Sequence, residues 1–351
     1  MPVRFRQNTS DLVLVLTIIL LVTIGTFILR SVAPYVFPLH FIYIGIAICL
    51  FFIFSRIDWD IFYFFAPYLY VVSILLLLST LIIGQVTRGA IRWIPLGVVS
   101  IQPSEVARAF LLLFLARYIT EKEINIKRLV KLFILFFLPF SLIVIQPSLG
   151  VAILTALGFL GVLLASSIEK KYFLVGLGIL LAIFPAIWFM LRAYQKERVL
   201  TFLDPSTDPL GAGYNSIQSM ISVGSGRFFG RGLGEGVQTQ LAFLPEKHTD
   251  FIFAAIAEEL GLLGAGLVLL LLFVFFITLI HFVGNAKDPA ARAFTCGVFL
   301  ILLAQTIIHV GMNMKLFPIT GVPLPFVSAG GSALLGTVIA VSMVMRTKKD
   351  D

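Results

Sequence analysis

Charged residues are scarce in this sequence. Only 13% of the 351 residues are Asp, Glu, Lys or Arg, whereas 59% are hydrophobic and the mean hydropathy is +1.04. A chain with so little polar surface cannot cover its own apolar atoms in water, so lipid must cover them. The apolar runs do not alternate in polarity as the strands of a membrane barrel do. The sequence therefore predicts an all-α, polytopic bundle of transmembrane helices.

Cysteine and histidine are also rare, with two and four residues respectively. Cys49 and Cys296 each lie within an apolar run with no Cys/His cluster nearby, which disfavours a disulfide or a zinc site and predicts that both are buried. The formal net charge of +8 does not indicate nucleic-acid binding, because the basic residues lie between apolar runs rather than on one soluble domain. Membrane orientation and contact with the lipid bilayer explain this charge more simply.

Ten apolar runs have the length expected of membrane spans. No small-residue cleavage site ends the first run, so we expect a retained span rather than a removed signal peptide. With both termini in the cytoplasm, more than half of the 26 Lys and Arg residues fall on the cytoplasmic side, as the positive-inside rule requires. The predicted spans are approximately 11–30, 39–55, 61–83, 104–120, 130–146, 148–167, 171–192, 250–280, 291–313 and 325–345.

Two connections differ from the short or basic cytoplasmic ones. Residues 84–103 and 193–249 are rich in Gly, Pro, Arg, Asn and Gln, and the predicted topology places both loops outside. Long loops on a rigid scaffold often carry function, so we expect an extracytoplasmic active face. We interpret 1–351 as one membrane domain, with 84–103 carrying a substrate motif and 193–249 forming the large external loop between spans seven and eight.

The first motif, GAIRWIPLGVVSIQPSEVAR, occupies residues 89–108. Its structural interpretation is sufficient by itself: Trp93 anchors at the membrane interface, and Glu105 lies in the first turn of a helix, where it can also pair with Arg108. Its functional interpretation is that Arg92 and Arg108 donate hydrogen bonds to phosphate, while Glu105 holds one of the two guanidinium groups.

The second motif, residues 204–251, contains YNSIQSMI and PEKHTDF. YNSIQSMI has the spacing of a short amphipathic helix lying on the bilayer, with Gln218 off its apolar face. In PEKHTDF, Asp250 directly precedes an apolar run. In one interpretation, which the local sequence slightly favours, Thr249 or Asp250 is the N-cap of the following helix. In the other, Asp250 is a general base at the rim of a lipid-lined groove. His248 is a weaker candidate than Asp250.

Polar residues also occur within the predicted spans. Glu258 and Glu259 are costly in a bilayer and should face the interior of the bundle. As helix neighbours they point about 100° apart, so we expect that they do not line one site and that they are structural rather than catalytic. His309 and Asn313 share one helix face, and we expect them to form interhelical hydrogen bonds rather than bind metal.

Together and in this order, five stretches resemble the SEDS (shape, elongation, division, sporulation) family across residues 84 to 336. The stretch PITGVPLPFVS is more similar to the elongation branch than to the division branch. The matching stretches are GAIRWIPLG, IQPSEVAR, DPLGAGYNSIQS, GRGLGEGVQTQLAFLPEKHTDFIFAAIAEELGLLG and LFPITGVPLPFVSAGGSALL.

The resemblance implies an inverting peptidoglycan glycosyltransferase in a bacterial inner membrane. It would polymerise lipid II into β-1,4 glycan strands for cell elongation and cell shape. Asp250 matches the family's essential aspartate, and Arg92 and Glu105 match its functional Arg and Glu. Arg108 replaces a family Lys. Further substrate-binding candidates are Gln218, Lys247 and His248. Three positions depart from the family pattern: Ser148 replaces Asp, Lys315 replaces Gly and Ala329 replaces Tyr.

The resemblance also implies partners: the growing glycan strand and a class B penicillin-binding protein, which is a transpeptidase. A divalent cation, Mg²⁺ or Mn²⁺, is compatible with a pyrophosphate substrate, but the sequence shows no ligand set for it. The alternatives are a lipid II flippase or other transporter, and a non-catalytic scaffold of the cell-wall synthase. A transporter should have polar and Gly/Pro breaks near mid-bilayer rather than motifs on one face, and a scaffold does not need Asp250.

Overall fold

The computed structural model describes residues 9–87, 90–146, 148–166, 170–190, 193–204, 212–241 and 243–349. Within these ranges the chain forms thirteen α-helices, a 3-10 turn at Pro34–Val36 and three short strands. The helices are α1 (Thr9–Val32), α2 (Phe37–Phe54), α3 (Trp59–Ile83), α4 (Pro103–Thr120), α5 (Ile126–Ile145), α6 (Leu149–Ala165), α7 (Lys170–Met190), α8 (Ala193–Leu203), α9 (Ala212–Ser225), α10 (Val237–Gln240), α11 (Ile252–Gly284), α12 (Pro289–Asn313) and α13 (Gly331–Met345).

Each of the ten predicted spans contains one of these helices, which confirms the all-α class. Among the described residues, six helical segments are long and apolar enough to cross a membrane: α1, α2 with its preceding turn, α3, α5, α11 and α12. Helices α6 and α13 are apolar but shorter. The total of ten spans therefore stays a prediction. The last helix begins at Gly331 rather than 325, because Phe326 has a positive φ of 63° that no α-helix accommodates.

Helices α6 and α12 pack through glycines in the centre of the bundle. A Cβ on Gly161 would lie 2.7 Å from the Cys296 carbonyl oxygen, and a Cβ on Gly297 would lie 3.0 Å from the Gly158 carbonyl oxygen. Small residues allow the helix backbones to approach this closely, and the resulting van der Waals packing helps helices to associate inside a membrane. Cys296 is partly buried at this contact, but the prediction that both cysteines are buried is wrong because Cys49 is exposed on α2. A thiol on a lipid-facing surface needs no cover from protein.

Residues 84–103, predicted as an external loop, contain an antiparallel sheet of β1 (Gln85–Thr87), β2 (Ala90–Leu96) and β3 (Val99–Ile101). Leu96 pairs with Val99 across a tight turn in which Gly97 has φ +71°, a conformation that favours glycine. Tyr43 of α2 holds the sheet against the bundle by donating its hydroxyl to the Ser100 carbonyl at 2.6 Å. The sheet therefore positions the predicted substrate motif over the end of the bundle.

Helix α11 is interrupted at Gly261, where φ is 68° and ψ is −163°. The predicted eighth span is thus two helical pieces, and residues 227–232 fill the gap between them. Four hydrogen bonds link these residues to the two pieces of the helix. Before the interruption, the carbonyls of Glu258 and Glu259 accept from the amides of Arg231 and Gly232 at 2.8 and 3.1 Å. After it, the amides of Leu262 and Leu263 donate to the carbonyls of Arg227 and Phe228 at 2.9 and 3.2 Å. Backbone groups released inside the membrane are in this way satisfied by protein.

The carboxylates of Glu258 and Glu259 both contact α10, so the expectation that they do not share one site is wrong. Glu258 accepts hydrogen bonds from the amides of Gln238 and Thr239 and from the Ser222 hydroxyl, at 2.8 to 3.0 Å. Glu259 accepts from the Gln240 side chain at 2.9 Å. The first amides of a helix lack partners within it, and Glu258 supplies partners for two of them in α10. Glu259 reaches the same short helix through the Gln240 side chain, although the two glutamates point in different directions. Both carboxylates are buried, as predicted.

Candidate active site

A cavity of about 510 Å³ lies where the sheet, the N-termini of α4 and α6, helix α8 and the segments 246–250 and 318–331 meet. Three of the seven predicted site residues line it: Arg92, Glu105 and Asp250. Segments 246–250 and 318–331, which are far apart in sequence, are joined beside the cavity by a hydrogen bond from the Ser328 hydroxyl to the Thr249 carbonyl at 2.9 Å. The structure therefore brings both predicted motifs to one cavity.

Asp250 is positioned by a residue of another helix. The Asn313 side chain of α12 donates to the Asp250 carbonyl at 3.0 Å and accepts from the Ala254 amide at 3.0 Å. The prediction of Thr249 or Asp250 as N-cap is wrong: the N-cap is Phe251, which has no polar side chain. Asn313 instead satisfies a first-turn amide that an N-cap side chain normally satisfies. Asp250 itself lines the cavity.

Arg198 of α8 is a cavity residue that the sequence analysis did not select. Its guanidinium donates to the Ile319 carbonyl at 3.2 Å. A Cβ on Gly321 would lie 3.6 Å from Oδ2 of Asp250 and 4.0 Å from Nη1 of Arg198, so the carboxylate and the guanidinium approach the same point. Gly321 also has φ +69°, which disfavours a side chain there. The sequence offered one signal only, a basic residue in the large external loop.

The predicted pair of Glu105 and Arg108 is confirmed. Its charged atoms are 2.9 Å apart, and both side chains are almost fully buried. Glu105 lines the cavity, whereas Arg108 lies one turn further along α4, outside the described lining. Helix α13 packs directly behind the pair, because a Cβ on Gly336 would lie 2.4 Å from the Glu105 carbonyl oxygen. Arg108 thus neutralises Glu105 rather than facing the cavity.

The other three predicted site residues also lie outside the described cavity lining. Gln218 is half-buried on α9. The Lys247 ammonium group donates to the Thr239 carbonyl, and burial lowers the pKa of Lys247, an effect that Glu259 and Glu258 oppose. The His248 ring meets the Tyr35 ring edge-on at 5.8 Å. Residues 205–211 of the second motif fall outside the described ranges.

Two of the three departures from the family pattern lie in the cavity wall. Ser148 accepts a hydrogen bond from the Gln102 side chain at 3.3 Å, and Ala329 lines the cavity. Lys315, in contrast, occupies the turn after α12 with φ +59°. The amides of Lys315 and Leu316 donate to the carbonyls of Met312 and Gly311 at 3.3 and 2.7 Å, which is a Schellman motif. This geometry explains why glycine is the usual residue at this turn.

The predicted divalent cation has no preformed protein cage in the described part of the chain, where no three His, Cys, Asp or Glu side chains form a metal-binding group. The carboxylates of Asp250 and Glu105 do line the cavity. Magnesium commonly uses one or two carboxylates together with phosphate oxygens of the substrate. The residues present are compatible with that mode, and the cation stays a prediction.

Asn313 and His309 confirm the predicted hydrogen-bonding face of α12, since His309 Nδ1 lies 2.7 Å from the Val322 carbonyl oxygen. His309 therefore holds segment 318–331 against the bundle. Because Val322 and Gly321 are adjacent, this contact fixes the part of the segment that lies beside Asp250.

Comparisons with known proteins agree with this architecture. Residues 8–351 match the family model of FtsW/RodA/SpoVE cell cycle proteins. Peptidoglycan glycosyltransferase MrdB of Escherichia coli K12 is 42% identical over 283 residues, covering 80% of this chain and 76% of MrdB. A chain of a peptidoglycan synthase complex that coordinates polymerization and crosslinking matches with a TM-score of 0.82 and 29% identity, covering 95% of both chains. The rod shape determining protein RodA of Thermus thermophilus matches with a TM-score of 0.72 and 25% identity, covering 96% of this chain and 97% of RodA. This chain therefore belongs to the FtsW/RodA/SpoVE family.

Proposed function

We propose that this protein is an inner-membrane peptidoglycan glycosyltransferase that polymerises lipid II for cell elongation and shape. The observation that carries the proposal is a single cavity whose lining includes the carboxylate residue Asp250 and the two arginines Arg92 and Arg198. Relatives with 42% identity over most of the chain are peptidoglycan glycosyltransferases, which favours this activity over a flippase or a scaffold.

In the proposed reaction Asp250 is the general base. Its carboxylate accepts the proton of the 4-hydroxyl of an acceptor GlcNAc as that oxygen bonds to the anomeric carbon of a donor MurNAc. The bond from that carbon to undecaprenyl pyrophosphate breaks, and the pyrophosphate leaves as an anion. One displacement inverts the α-linked donor into a β-1,4 linkage. Base catalysis of this kind contributes about 10²–10⁴-fold to the rate.

The arginines of the cavity suit the leaving group. A glycosidase needs a second carboxylic acid to protonate a poor leaving group, whereas pyrophosphate leaves as an anion and needs positive charge. Arg92 and Arg198 supply that charge as planar forks that match phosphate oxygens. Asp250 or Glu105 would hold a divalent cation, which would supply positive charge of the same kind.

Other residues position this machinery rather than react. Asn313 holds the backbone of Asp250, and Arg108 pairs with the buried Glu105 carboxylate at 2.9 Å. Gln218, Lys247 and His248 remain proposed substrate contacts. They lie outside the cavity lining described above, so we assign them to the acceptor strand or to the shape of the large loop rather than to the reacting bond.

The active face is proposed to be extracytoplasmic, and a class B penicillin-binding protein is the proposed partner that crosslinks the new strands. The structural neighbour that belongs to a peptidoglycan synthase complex supports such an assembly. The growing glycan strand is the second macromolecular ligand. Residues that contact the transpeptidase are not assigned.

The deciding experiment is polymerisation of purified lipid II by the full-length protein, with and without the transpeptidase. Asp250→Asn removes the proton acceptor and keeps the side-chain shape, so we expect no glycan product. Asp60→Asn is the matched control, because Asp60 is an exposed carboxylate at the start of α3, outside the cavity. Glycan strands of unchanged length from Asp250→Asn would refute the general-base assignment. Lipid II translocation without polymerisation by the wild-type protein would instead favour a flippase.

A further inference from the structure

A second cavity lies on the outer surface of the bundle and shares no residue with the active site. It is an open groove of about 570 Å³ that runs along α5 from Ile126 to Ser141 and is closed on one side by Val175 of α7. Apart from Ser141, its lining consists of aliphatic and phenyl side chains. The proposed reaction makes no use of this groove.

The groove has a fixed floor and a lipid-facing mouth. Phe133 is buried at the floor, where its ring lies 5.7 Å from the Phe159 ring and 3.0 Å from the position of a Cβ on Gly176. Ile134 and Leu138, at the mouth, are 62% and 47% exposed. The fifteen steps along the helix from Ile126 to Ser141, at 1.5 Å each, give a length of about 22 Å. One leaflet of hydrocarbon is about 15 Å deep, so the groove spans a whole leaflet and reaches the headgroups.

The lining favours a lipid chain over a transmembrane helix as the occupant. Helices associate in membranes through small residues that allow their backbones to approach, as α6 and α12 do here. Large branched and aromatic residues line this groove instead. A flexible hydrocarbon chain can follow such a surface, whereas a helix backbone is kept away from it.

Basic residues lie at one end of the groove. Lys127 and Lys131 are exposed on the first turns of α5, two turns and one turn respectively before Ile134 on the same helix face. Lys171, whose ammonium group lies 4.8 Å from the centroid of the adjacent Tyr172 ring, precedes Val175 by one turn of α7. Arg128 points elsewhere, because its guanidinium donates to the Tyr118 carbonyl and lies 3.7 Å from the Glu121 carboxylate. The three lysines therefore surround the end of the groove that the predicted topology places at the cytoplasmic leaflet.

We propose that this groove binds an anionic phospholipid. One acyl chain fills the groove, and the phosphate of the headgroup contacts Lys127, Lys131 and Lys171. Lysine side chains extend along apolar surface to place their charge among the headgroups, and the cytoplasmic leaflet is the anionic one. The proposal does not depend on the enzymatic function, since it concerns a different surface.

The test uses the full-length protein and measures binding of phosphatidylglycerol and of phosphatidylcholine by native mass spectrometry. The wild-type protein should bind phosphatidylglycerol more tightly. Each lysine near a membrane surface contributes about 5-fold in affinity, so Lys127→Gln with Lys131→Gln should weaken phosphatidylglycerol binding about 30-fold. Lys122→Gln with Lys349→Gln removes the same charge from exposed positions outside the groove and should change binding less than 2-fold.

Two further measurements distinguish the contribution of the lipid headgroup from that of the acyl chain. Ile134→Trp fills the groove and should weaken binding of phosphatidylglycerol while the thermal unfolding temperature is retained. Glycerol phosphate, which has the anionic group without a chain, should not compete. Equal affinity for the two phospholipids, an equal loss in the two double variants, or competition by glycerol phosphate would each overturn the proposal. So would unchanged binding by Ile134→Trp.

Discussion

Asn313 on α12 holds the backbone of Asp250 in the loop before α11, with its side-chain nitrogen 3.0 Å from the Asp250 carbonyl oxygen. The same side chain accepts the Ala254 amide, so one amide group joins the two helices at the base of the cavity. The proposed general base is thus positioned by a residue 63 positions away in the sequence. This relationship leads to the first prediction.

Asn313→Ala should lower the free energy of unfolding by about 1–3 kcal/mol, because a buried amide and carbonyl lose their partner. It should lower kcat for lipid II polymerisation more than it raises KM, because Asp250 is displaced while the arginines remain. Asn285→Ala is the control, since Asn285 lies at the other end of α11 and its side chain bonds to His281, one turn away on the same helix. Normal kcat in Asn313→Ala would contradict the positioning role.

Arg198→Ala should reduce use of the lipid-pyrophosphate donor, and Arg198→Lys should recover part of it, because a point charge replaces a planar fork. Steady-state kinetics over a range of lipid II concentrations measures the difference between Arg198→Ala and Arg198→Lys. Arg227→Ala is a matched control in the same external loop, outside the described cavity lining. If Arg198→Ala and Arg227→Ala behave alike, Arg198 has no specific role at the donor.

Arg108→Ala should destabilise the protein by about 3–5 kcal/mol, because it leaves Glu105 buried without its counter-ion. Arg108→Lys should be milder, since it keeps the charge that the family usually has here. The double variant Glu105→Leu with Arg108→Leu should recover stability but not polymerisation. Full activity of this double variant would show that Glu105 serves packing alone. Unfolding is followed by heating in detergent.

Gly230→Ala should disrupt the hydrogen bonds by which residues 227–232 bridge the interruption of α11 at Gly261. A Cβ at this position would lie 2.1 Å from the Glu259 carbonyl oxygen, and φ is +87°. We expect a loss of at least about 2 kcal/mol and faster hydrogen exchange at the amides of Leu262 and Leu263, whose partners belong to the same segment. Gly178→Ala, at an open position on α7, should leave both quantities unchanged.

Single cysteines test the predicted sidedness in a Cys49→Ser, Cys296→Ser background. Val98→Cys in the sheet and Glu197→Cys on α8 should react with an impermeant maleimide in intact spheroplasts. Glu123→Cys and Lys349→Cys should react only after the membrane is opened. All four positions are exposed. Opposite labelling of Val98→Cys and Glu197→Cys would place the two halves of the proposed active site on different faces.

Several features of the candidate site follow from local sequence. Asp250 and Glu105 were selected because each lies where a polar motif meets an apolar run, and the pair of Glu105 and Arg108 follows from helix spacing. Arg198 could not be selected in this way, since nothing around it in the sequence indicates a cavity. The prediction that Glu258 and Glu259 do not share one site is wrong because both contact α10, and that contact depends on tertiary packing that helix spacing does not show.

The sequence by itself determined that this chain is a bundle of membrane helices and roughly where each helix lies. Hydropathy and length are local properties, and in lipid a helix is the structure that satisfies every backbone group within one segment. Only the tertiary structure decided three contacts. Asn313 bonds to the backbone of Asp250, Arg198 lines the cavity, and residues 227–232 form hydrogen bonds to both pieces of α11. Those contacts join segments that are distant in sequence, and they depend on how closely the helices pack. Glycines such as Gly161 and Gly297 set that distance, and no local pattern in the sequence shows it.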